Sequence, residues 1–454
     1  MQYKSVFTFT SALLLVANVY ALEPIHTGTV IVGSGISGLA AALDLNKYGQ
    51  DVLVLEKMPF LGGTTNLAAQ YFVSVNTREH QAAGKVLSVP DYLKRTEKSG
   101  RNAANLPRTA QRMYDSQKNV DWLNEKGVGL TRVISDYQLG ISDGSSLGSK
   151  IMKVLAEKTK EAGIPIMTNA KVVNLIYKNG KVLGVEIEQK GGEKQEVLAK
   201  NVVLATGGFN NNQGLIAKYA PEWKGLPTTT AVSATGDGIV LAEKLKAAVK
   251  GASEVGLNPS IHSQDGINVS MSAARLEGGI MINLAGKRFC DDYYPDYTKM
   301  ARQMMAQPEG KSFVIIDDKS MKASKRLQGF LKKGYFVEAP TVAELARKIG
   351  VPEKNLEETL KTYGESVRKG KDEAFGRTLN MKTDFTHPPY YASSLLPGTQ
   401  VSVGGLDVND FMQCKTIDGK IIPNLYAVGE LTYDSGTPHS LWTGRKAAEH
   451  ILSK

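Results

Sequence analysis

The strongest constraint on the fold lies between residues 29 and 69. Residues 30–32 form a short apolar run, typical of a buried parallel strand. The sequence GSGISG at residues 33–38 follows, then an alanine- and leucine-rich segment that predicts a helix, then a second apolar run at residues 52–55 that ends at Glu56. This order predicts a βαβ unit that binds a dinucleotide, with the pyrophosphate at the helix N-terminus and Glu56 on a ribose hydroxyl.

Three later motifs accompany this unit: GGTT at residues 62–65, ATGGF at residues 205–209 and NLYAVGE at residues 424–430. The set resembles the FAD-dependent family of fumarate reductase and succinate dehydrogenase flavoproteins, which includes flavocytochrome c fumarate reductases, urocanate reductases and ketosteroid dehydrogenases. The resemblance runs from about Thr29 to the C-terminus. It implies FAD as the cofactor and an α/β fold, a Rossmann-like FAD-binding domain with an inserted α+β capping domain.

The resemblance also implies which residues contact FAD. They lie in the glycine-rich loops, one strand of a β-meander and the start of the last helix. The predicted set is Gly33, Gly35, Ser37, Gly38, Glu56, Lys57, Gly63, Thr64, Thr65, Val173, Thr206, Gly207, Asp237, Gly429, Glu430, Ser440 and Leu441.

The family pattern also predicts the domain boundaries. GIMIN at residues 279–283 and GKRF at residues 286–289 match the family's capping domain. We therefore expect a signal peptide at residues 1–21, the first part of the FAD-binding domain at 22–258, the capping domain at 259–340 and the second part of the FAD-binding domain at 341–454.

The N-terminal segment predicts export. Lys4 precedes an apolar core within residues 6–19, and Val-Tyr-Ala at residues 19–21 is typical of a cleavage site. The apolar run is short for a membrane span of roughly 20 residues, so a Sec-type signal peptide cleaved after Ala21 is favoured over an anchor. The mature protein is then expected in the periplasm without a stable membrane span.

The composition indicates which binding partners and cofactors to expect. The net charge is +10, but the lysines are scattered, so nucleic acid is not expected. Cys290 and Cys414 are too few for a disulfide scaffold, and neither lies in a C-x-x-C-H haem motif. One bridge between them is an alternative to two buried thiols. We expect no metal site. Because the chain lacks a haem motif, we expect a separate c-type cytochrome as the electron donor.

The resemblance locates the proton-transfer residues only in part. In fumarate reductases a capping-domain arginine donates the proton and is fed by a second arginine and a glutamate. Arg275 matches the feeding arginine, whereas Ser272 stands in place of the glutamate. The donor position falls on Tyr297 in one register and on Asp296 in the other. Tyr297 is preferred because its register also matches Lys299.

The carboxylate-binding positions depart from the family. Gln-Val-Ser at residues 400–402 replaces a histidine, and SGTPHSL at residues 435–441 lacks an arginine. A buried dianion without those cations would cost several kcal/mol, so fumarate is not the expected substrate.

Phenolic side chains take the place of the missing cations. Tyr293, Tyr294 and Tyr297 are clustered, and Tyr433 and His439 are expected to face them from the last loop. A tyrosine donates a proton and stacks on flat molecules, which favours an unsaturated monocarboxylate or enone.

The predicted catalytic residues are Arg275, Tyr294, Tyr297 and His439. For His439 the alternative is a role in shaping the loop that carries Ser440 and Leu441, and His262 and His387 are expected to be structural.

Three functions remain open from the sequence. The first is a periplasmic FAD-dependent reductase of an activated C=C bond, an oxidoreductase acting on CH–CH bonds. The second is a ketone desaturase similar to ketosteroid dehydrogenases, with a tyrosine as base. The third is a non-catalytic FAD-binding electron-transfer subunit.

Overall fold

A computed structural model describes residues 22–68, 71–99, 105–293 and 296–454. The strands in chain order are β1 Ile25–Val32, β2 Val52–Leu55, β3 Phe72–Val73, β4 Leu130–Ser135, β5 Gln138–Ile141, β6 Ile166–Met167, β7 Ala170–Lys178, β8 Lys181–Gln189, β9 Lys194–Leu204, β10 Val249–Lys250, β11 Val255–Gln264, β12 Ile267–Ser270, β13 Ile280–Ile282, β14 Ser312–Asp317, β15 Val337–Ala339, β16 Tyr390–Ser402, β17 Gly405–Leu406, β18 Gln413–Lys415 and β19 Ile421–Ala427.

The α-helices of the described residues follow in the same order. They are α1 Ile36–Lys47, α2 Arg78–Ala82, α3 Val89–Ser99, α4 Leu106–Tyr114, α5 Ser116–Glu125, α6 Leu147–Glu161, α7 Gln213–Tyr219, α8 Asp237–Glu243, α9 Ser272–Leu276, α10 Tyr297–Met305, α11 Asp318–Ala323, α12 Lys325–Lys332, α13 Val342–Ile349, α14 Glu353–Lys369 and α15 Thr437–Leu452.

The first sheet has the order β18-β19-β9-β1-β2-β6, and β8 joins it beside β9. β1 pairs in parallel with both β2 and β9, and β19 pairs in parallel with β9. Residues 30–32 of β1 and 52–55 of β2 are all apolar and buried, as expected for parallel strands covered by helices. The predicted βαβ unit and mixed α/β fold with a parallel sheet are therefore confirmed.

The meander β7-β8-β9 branches from the middle of this sheet, because β9 pairs with β8 through residues 194–198 and with β19 through residues 202–204. Lys178 pairs with Lys181, so Asn179 and Gly180 form a two-residue turn with φ of +53° and +76°. Both residues tolerate positive φ, which a turn of this kind requires. Asn-Gly between two apolar runs is a local signal for a hairpin, and the structure has one here.

The second sheet has the order β12-β11-β16-β14-β13, with β15 beside β16. Apolar residues of α13 and α14 pack against β13 and β14, including Leu345, Leu356 and Leu360. This packing differs from the predicted return to the FAD-binding domain at residue 341. The chain leaves the second sheet only at Ser402, the end of β16, because that strand pairs with both β11 and β14.

Helix α10 lies where the two sheets meet. Met300 and Met304 belong to the core of the second sheet, whereas Ala301 belongs to the core of the first. Each sheet with the helices packed on it is here called a unit, the first unit around the first sheet and the second around the second. The Arg302 guanidinium lies 4.6 Å from the ring centroid of Trp223, a core residue of the first unit. Helix α10, which begins at Tyr297, is therefore held between the two units by residues 300–304.

Four further sequence predictions concern the N-terminal segment, Tyr294, membrane spans and the two cysteines. The predicted signal peptide, residues 1–21, and Tyr294 lie outside the described residues. Among the described helices, none is both long enough and apolar enough to cross a membrane. Cys290 and Cys414 are both free and buried, and burial raises the pKa of each thiol.

Candidate active site

The carboxyl ends of β1, β2 and β9 meet at one edge of the first sheet, and the region outside them is named the crevice. The chain leaves β1 toward β2 on one side and returns through β9 on the other, and such a reversal of strand order is where open α/β sheets bind ligands. Gly33 follows β1 with φ of +112°, and a Cβ there would stand 2.3 Å from the carbonyl oxygen of Ala205. Only glycine fits this close approach.

The N-terminus of α1 faces the crevice. A Cβ on Gly38 would stand 2.0 Å from the carbonyl oxygen of Gly33. Because glycine has no Cβ, α1 can pack closely against the end of β1. The first-turn amides of a helix lack intrahelical acceptors. The Ile36 amide donates to Thr65 Oγ1 at 3.2 Å, and Gly35 and Thr65 are both partly exposed.

Glu56 is buried at the end of β2 and held by three donors. Its carboxylate accepts from the Ser34 amide at 3.0 Å, the Ser34 hydroxyl at 2.6 Å and the Met58 amide at 2.9 Å. Ser34 Oγ also accepts from the Gly62 amide at 3.2 Å. Ser34 was not among the predicted site residues, although its place within the glycine motif requires a small residue and its hydroxyl joins the two loops.

The loop after β2 is held to the segment before α8. Lys57 Nζ donates to Thr235 Oγ1 at 2.6 Å and to Asp237 Oδ2 at 2.7 Å. The Ala231 amide donates to Thr64 Oγ1 at 3.4 Å. Gly63, also predicted to contact the cofactor, has φ of +48° and is partly exposed in this loop.

The loop after β9 borders the other side of the crevice. Thr206 Oγ1 accepts from the Gly238 amide at 3.2 Å, in the first turn of α8. Gly207 has φ of +75° and no atom within 4 Å of where a Cβ would stand. The backbone at Gly207 is therefore open to approach by a ligand.

Val173 occupies an irregular position in β7. Its neighbours Val172 and Asn174 pair with successive residues of β8, so Val173 is the extra residue of a β-bulge. Lys244 Nζ donates to its carbonyl oxygen at 3.3 Å. β7 starts beside Glu56, since the Ala170 amide donates to the Glu56 carbonyl oxygen at 3.0 Å.

The last loop joins the crevice through Gly429. A Cβ on this residue would stand 2.6 Å from Ser37 Oγ, so the loop lies directly on the start of α1. The neighbouring Glu430 is buried and accepts from the amide and hydroxyl of Ser402 at 3.0 and 3.2 Å. Burial raises the pKa of Glu430 to about 7.

His439 lies in the protein interior in the first turn of α15. Nε2 is 3.0 Å from Thr432 Oγ1, and Nδ1 is 3.6 Å from Asp434 Oδ2. Burial lowers the pKa of His439 to about 4, so the ring is neutral at pH 7. This placement differs from the predicted contact with substrate and supports the alternative, a role in shaping the loop.

Other members of the last loop also differ in exposure. Ser440 is partly exposed, whereas Leu441 is buried. The Tyr433 hydroxyl donates to Glu254 Oε1 at 2.7 Å, and burial and this bond raise the Tyr433 pKa. The Tyr433 hydroxyl therefore bonds to Glu254, which differs from the predicted position facing the capping-domain tyrosines.

The structure brings Arg275 and Tyr297 together. The Arg275 guanidinium carbon lies 4.8 Å from the ring centroid of Tyr297, within cation–π distance. Arg275 is buried, and its Nη1 donates to the carbonyl oxygen of Asp292 at 3.0 Å. Its Nε is a buried donor without a partner among the described residues.

A buried ionic cluster supports Arg275 and was missed by the sequence analysis. Arg288 donates to Asp292 and Asp372 at 2.6 and 2.8 Å, and Arg377 Nη1 lies 3.6 Å from Asp292 Oδ2. Arg377 Nη2 also donates to the carbonyl oxygen of Arg275 at 3.2 Å. Asp292 and Asp372 lie far apart in sequence, so no local motif announces the cluster.

Ser272, at the position of the family glutamate, belongs to a polar chain. Its hydroxyl lies 2.7 Å from Ser270 Oγ, which accepts from Asn258 Nδ2 at 3.0 Å. Ser272 and Arg275 are both on α9, about one turn apart, and both are buried.

The crevice residues fit a dinucleotide. Gly35 and Gly207 are partly exposed, and no atom lies closer than 3.5 Å to the position of an added Cβ at either residue. The first-turn amides of α1 would hold the pyrophosphate, and Glu56 would hold a ribose hydroxyl.

Comparison with known proteins supports this assignment. Residues 28–439 match the family model described as FAD binding domain. The NADH:fumarate oxidoreductase of Klebsiella pneumoniae is 30% identical over 408 residues, 88% of this chain and 44% of its own length. The NADH:acrylate oxidoreductase of Vibrio harveyi is 26% identical over 89% of this chain and 47% of its own length. The chain therefore spans less than half of each relative.

Among solved structures, the open conformation of a flavocytochrome c3 fumarate reductase matches with a TM-score of 0.81 and 28% identity. The match covers 95% of this chain and 79% of that one. The second sheet is included in this coverage. The chain belongs to the FAD binding domain family, within the fumarate reductase-like flavoproteins, and its cofactor is FAD.

Proposed function

We propose that this chain is an FAD-dependent reductase of an activated C=C bond, with an enoate or enone other than fumarate as substrate. When bound, reduced FAD supplies a hydride to an electron-poor carbon. The protein must then position the acceptor, polarise it and deliver a proton to the neighbouring carbon. Tyr297 is the proposed proton donor.

The observation that carries this proposal is the stacked pair of Arg275 and Tyr297. Proton donation leaves a phenolate on Tyr297, and a cation 4.8 Å from the ring favours that charged product. Tyr297 also begins α10, the helix held between the two units. The pair therefore stands where the second unit meets the first.

The proposed supply of protons to Tyr297 runs through α9. Arg275 has a buried Nε donor without a partner among the described residues, so it can bond to a substrate oxygen or to an incoming water. The hydroxyls of Ser272 and Ser270 extend from the same helix start toward Asn258. Hydroxyl groups both donate and accept, so such a chain can pass a proton.

The charge at the site favours a monoanionic or neutral substrate. Residues 400–402 lack the family histidine and residues 435–441 lack the family arginine, while Arg275 remains. A single cation can pair with one carboxylate or polarise one carbonyl, but it would leave the second charge of a dianion unpaired. The Vibrio relative named for acrylate, a monocarboxylate, agrees with this charge.

We further propose a periplasmic enzyme that receives electrons from a separate c-type cytochrome. Residues 1–21 have the pattern of a Sec signal peptide, and neither cysteine lies in a haem attachment motif. The similar flavocytochrome c3 carries its own haem, as its name states. A haem donor outside this chain would serve the same purpose.

The test is an acceptor screen with the FAD-loaded protein. After anaerobic reduction by dithionite, we expect enoates or enones to restore the oxidised flavin spectrum, and fumarate to do so more slowly. Bleaching of the oxidised protein by saturated ketones would instead identify a desaturase. If neither class of compound changes the spectrum, the proposal is wrong and an electron-transfer subunit is indicated.

A further inference from the structure

A second polar cluster lies at the edge of the second sheet, outside the crevice. Asp317 is the last residue of β14, whereas Asp384 and His387 belong to the segment between α14 and β16. The Asp318 amide donates to the carbonyl oxygen of His387 at 3.0 Å, which holds this segment against the end of β14. Residues about seventy positions apart thus meet through tertiary packing.

The side chains of these three residues converge. His387 Nδ1 is 3.7 Å from Asp317 Oδ2 and 3.8 Å from Asp384 Oδ1. One donor atom from each residue falls within 4.8 Å of the others. Thr386 Oγ1 lies between them, 2.8 Å from Asp384 Oδ1 and 3.1 Å from His387 Nδ1.

Asp317 provides an observation independent of this convergence. The residue has 0% exposure, and its Oδ1 accepts from the Ser320 amide at 3.1 Å as the cap of α11. Its Oδ2 has no hydrogen-bond partner among the described residues and is directed at His387. A buried carboxylate oxygen without a partner is costly, so this atom indicates a missing positive ligand.

We propose that Asp317, Asp384 and His387 bind a divalent cation of the Zn²⁺ class. At zinc–ligand distances of about 2.0–2.1 Å, tetrahedral ligand atoms are roughly 3.3 Å apart. The 3.7 and 3.8 Å separations from His387 Nδ1 exceed this value by a few tenths of an ångström, and the Asp317 and Asp384 oxygens lie within 4.8 Å of each other, so the carboxylates would close in on a bound ion. An imidazole among two carboxylates suits zinc, whereas Ca²⁺ and Mg²⁺ prefer oxygen ligands.

The proposed ion joins two parts of the second unit. Asp317 Oδ2 comes from the core sheet, and Asp384 and His387 come from the segment that leads into β16. The His387 side chain is half exposed, which leaves room for water as a fourth ligand. This proposal replaces the sequence-based expectations that His387 is structural and that the chain has no metal site.

The test uses the untagged, FAD-loaded full chain and Zn²⁺ alone. Titration calorimetry and elemental analysis after dialysis are expected to show one equivalent bound. Asp317→Asn keeps an acceptor for the α11 cap but loses a charged ligand. Asp317→Asn, Asp384→Asn and His387→Ala should each weaken binding at least roughly tenfold, since even partners behind a ligand have effects of 10–100-fold.

The matched control is His26→Ala, which removes an exposed histidine on β1. It should bind Zn²⁺ as the unchanged chain does, and the flavin absorbance should show that every variant is folded. Less than one equivalent of Zn²⁺, or equal binding by His387→Ala and His26→Ala, would overturn the site. Displacement of Zn²⁺ by equimolar Mg²⁺ or Ca²⁺ would overturn the assigned metal class.

Discussion

The crevice and the cap site around Arg275 and Tyr297 are built in different ways. The crevice depends on backbone and on missing side chains, with Gly33 and Gly38 allowing carbonyl contacts that any Cβ would prevent. The cap site depends on charged side chains. Arg377 donates to the carbonyl oxygen of Arg275 and pairs with Asp292, which also pairs with Arg288. A site made of backbone tolerates few residue types, whereas a site made of side chains can change its chemistry by substitution.

The two regions also differ in how charge is stabilised. In the crevice, the Lys57–Asp237 pair is partly exposed, and such pairs contribute about 0–1 kcal/mol. In the cap, the Arg288–Asp292 pair is buried, and removal of one partner from such a pair costs about 3–5 kcal/mol. The following substitutions test this contrast, and those with the greatest predicted loss come first.

Gly38→Ala should abolish FAD retention, because the new Cβ would stand 2.0 Å from the carbonyl oxygen of Gly33. Separation of α1 from β1 would disturb the first-turn amides that face the crevice. The measurement is the ratio of flavin to protein absorbance after gel filtration. Gly329→Ala is the control, since this glycine also lies in a helix, has no positive φ and has nothing within 4 Å of an added Cβ. A yellow Gly38→Ala protein would contradict the packing argument.

Tyr297→Phe should slow anaerobic reoxidation of the reduced flavin by substrate by roughly 10²–10⁴-fold, the usual contribution of a positioned acid. Flavin content should be unchanged, because Tyr297 lies outside the glycine-rich crevice. Stopped-flow absorbance measures the rate. Tyr293→Phe is the matched control and should change the rate less than tenfold. An unchanged rate in Tyr297→Phe would remove this tyrosine from the mechanism.

Glu430 and His439 should give the apoprotein opposite pH dependences. Burial raises the pKa of Glu430 from 4.5 to about 7, so its contribution to stability is present below pH 4.5 and lost as the pH rises to about 7. The shift corresponds to about 3 kcal/mol. Burial lowers the His439 pKa to about 4, so its contribution is lost as the pH falls from 6.5.

The measurement is denaturant unfolding of the apoprotein between pH 4.5 and 8. Glu430→Gln keeps an oxygen for the Ser402 amide but cannot ionise, so it should gain about 3 kcal/mol relative to the unchanged chain over this range. A constant difference between the two proteins across that range would contradict the raised pKa of Glu430.

Lys57→Met should have the smallest effect. The Lys57 and Asp237 side chains are about one-fifth exposed, so we expect a loss of less than about 1 kcal/mol in unfolding free energy. The difference should shrink further in high salt, because exposed charge pairs are screened. A salt-independent loss of several kcal/mol would place this pair in the class of the buried cap cluster.

Some parts of this molecule were predictable because their signals are local. The GSGISG turn, the apolar runs of β1 and β2 and the Asn-Gly turn between β7 and β8 each specify a backbone conformation through neighbouring residues. The domain boundary near residue 341 was not predictable in this way. The apolar faces of α13 and α14 fit any apolar surface, and only the pairing of β16 with β11 and β14 decides which core they cover.

Glycine positions and strand–helix periodicity act over short distances, so the dinucleotide crevice and its FAD-family motifs could be predicted from the order of the residues. Long-range packing was needed to show that His439 is buried, that Arg275 lies over Tyr297, and that Asp317 faces His387. Burial and long-range contact depend on how distant segments pack, and a side chain's charge, exposure and partners follow from that packing.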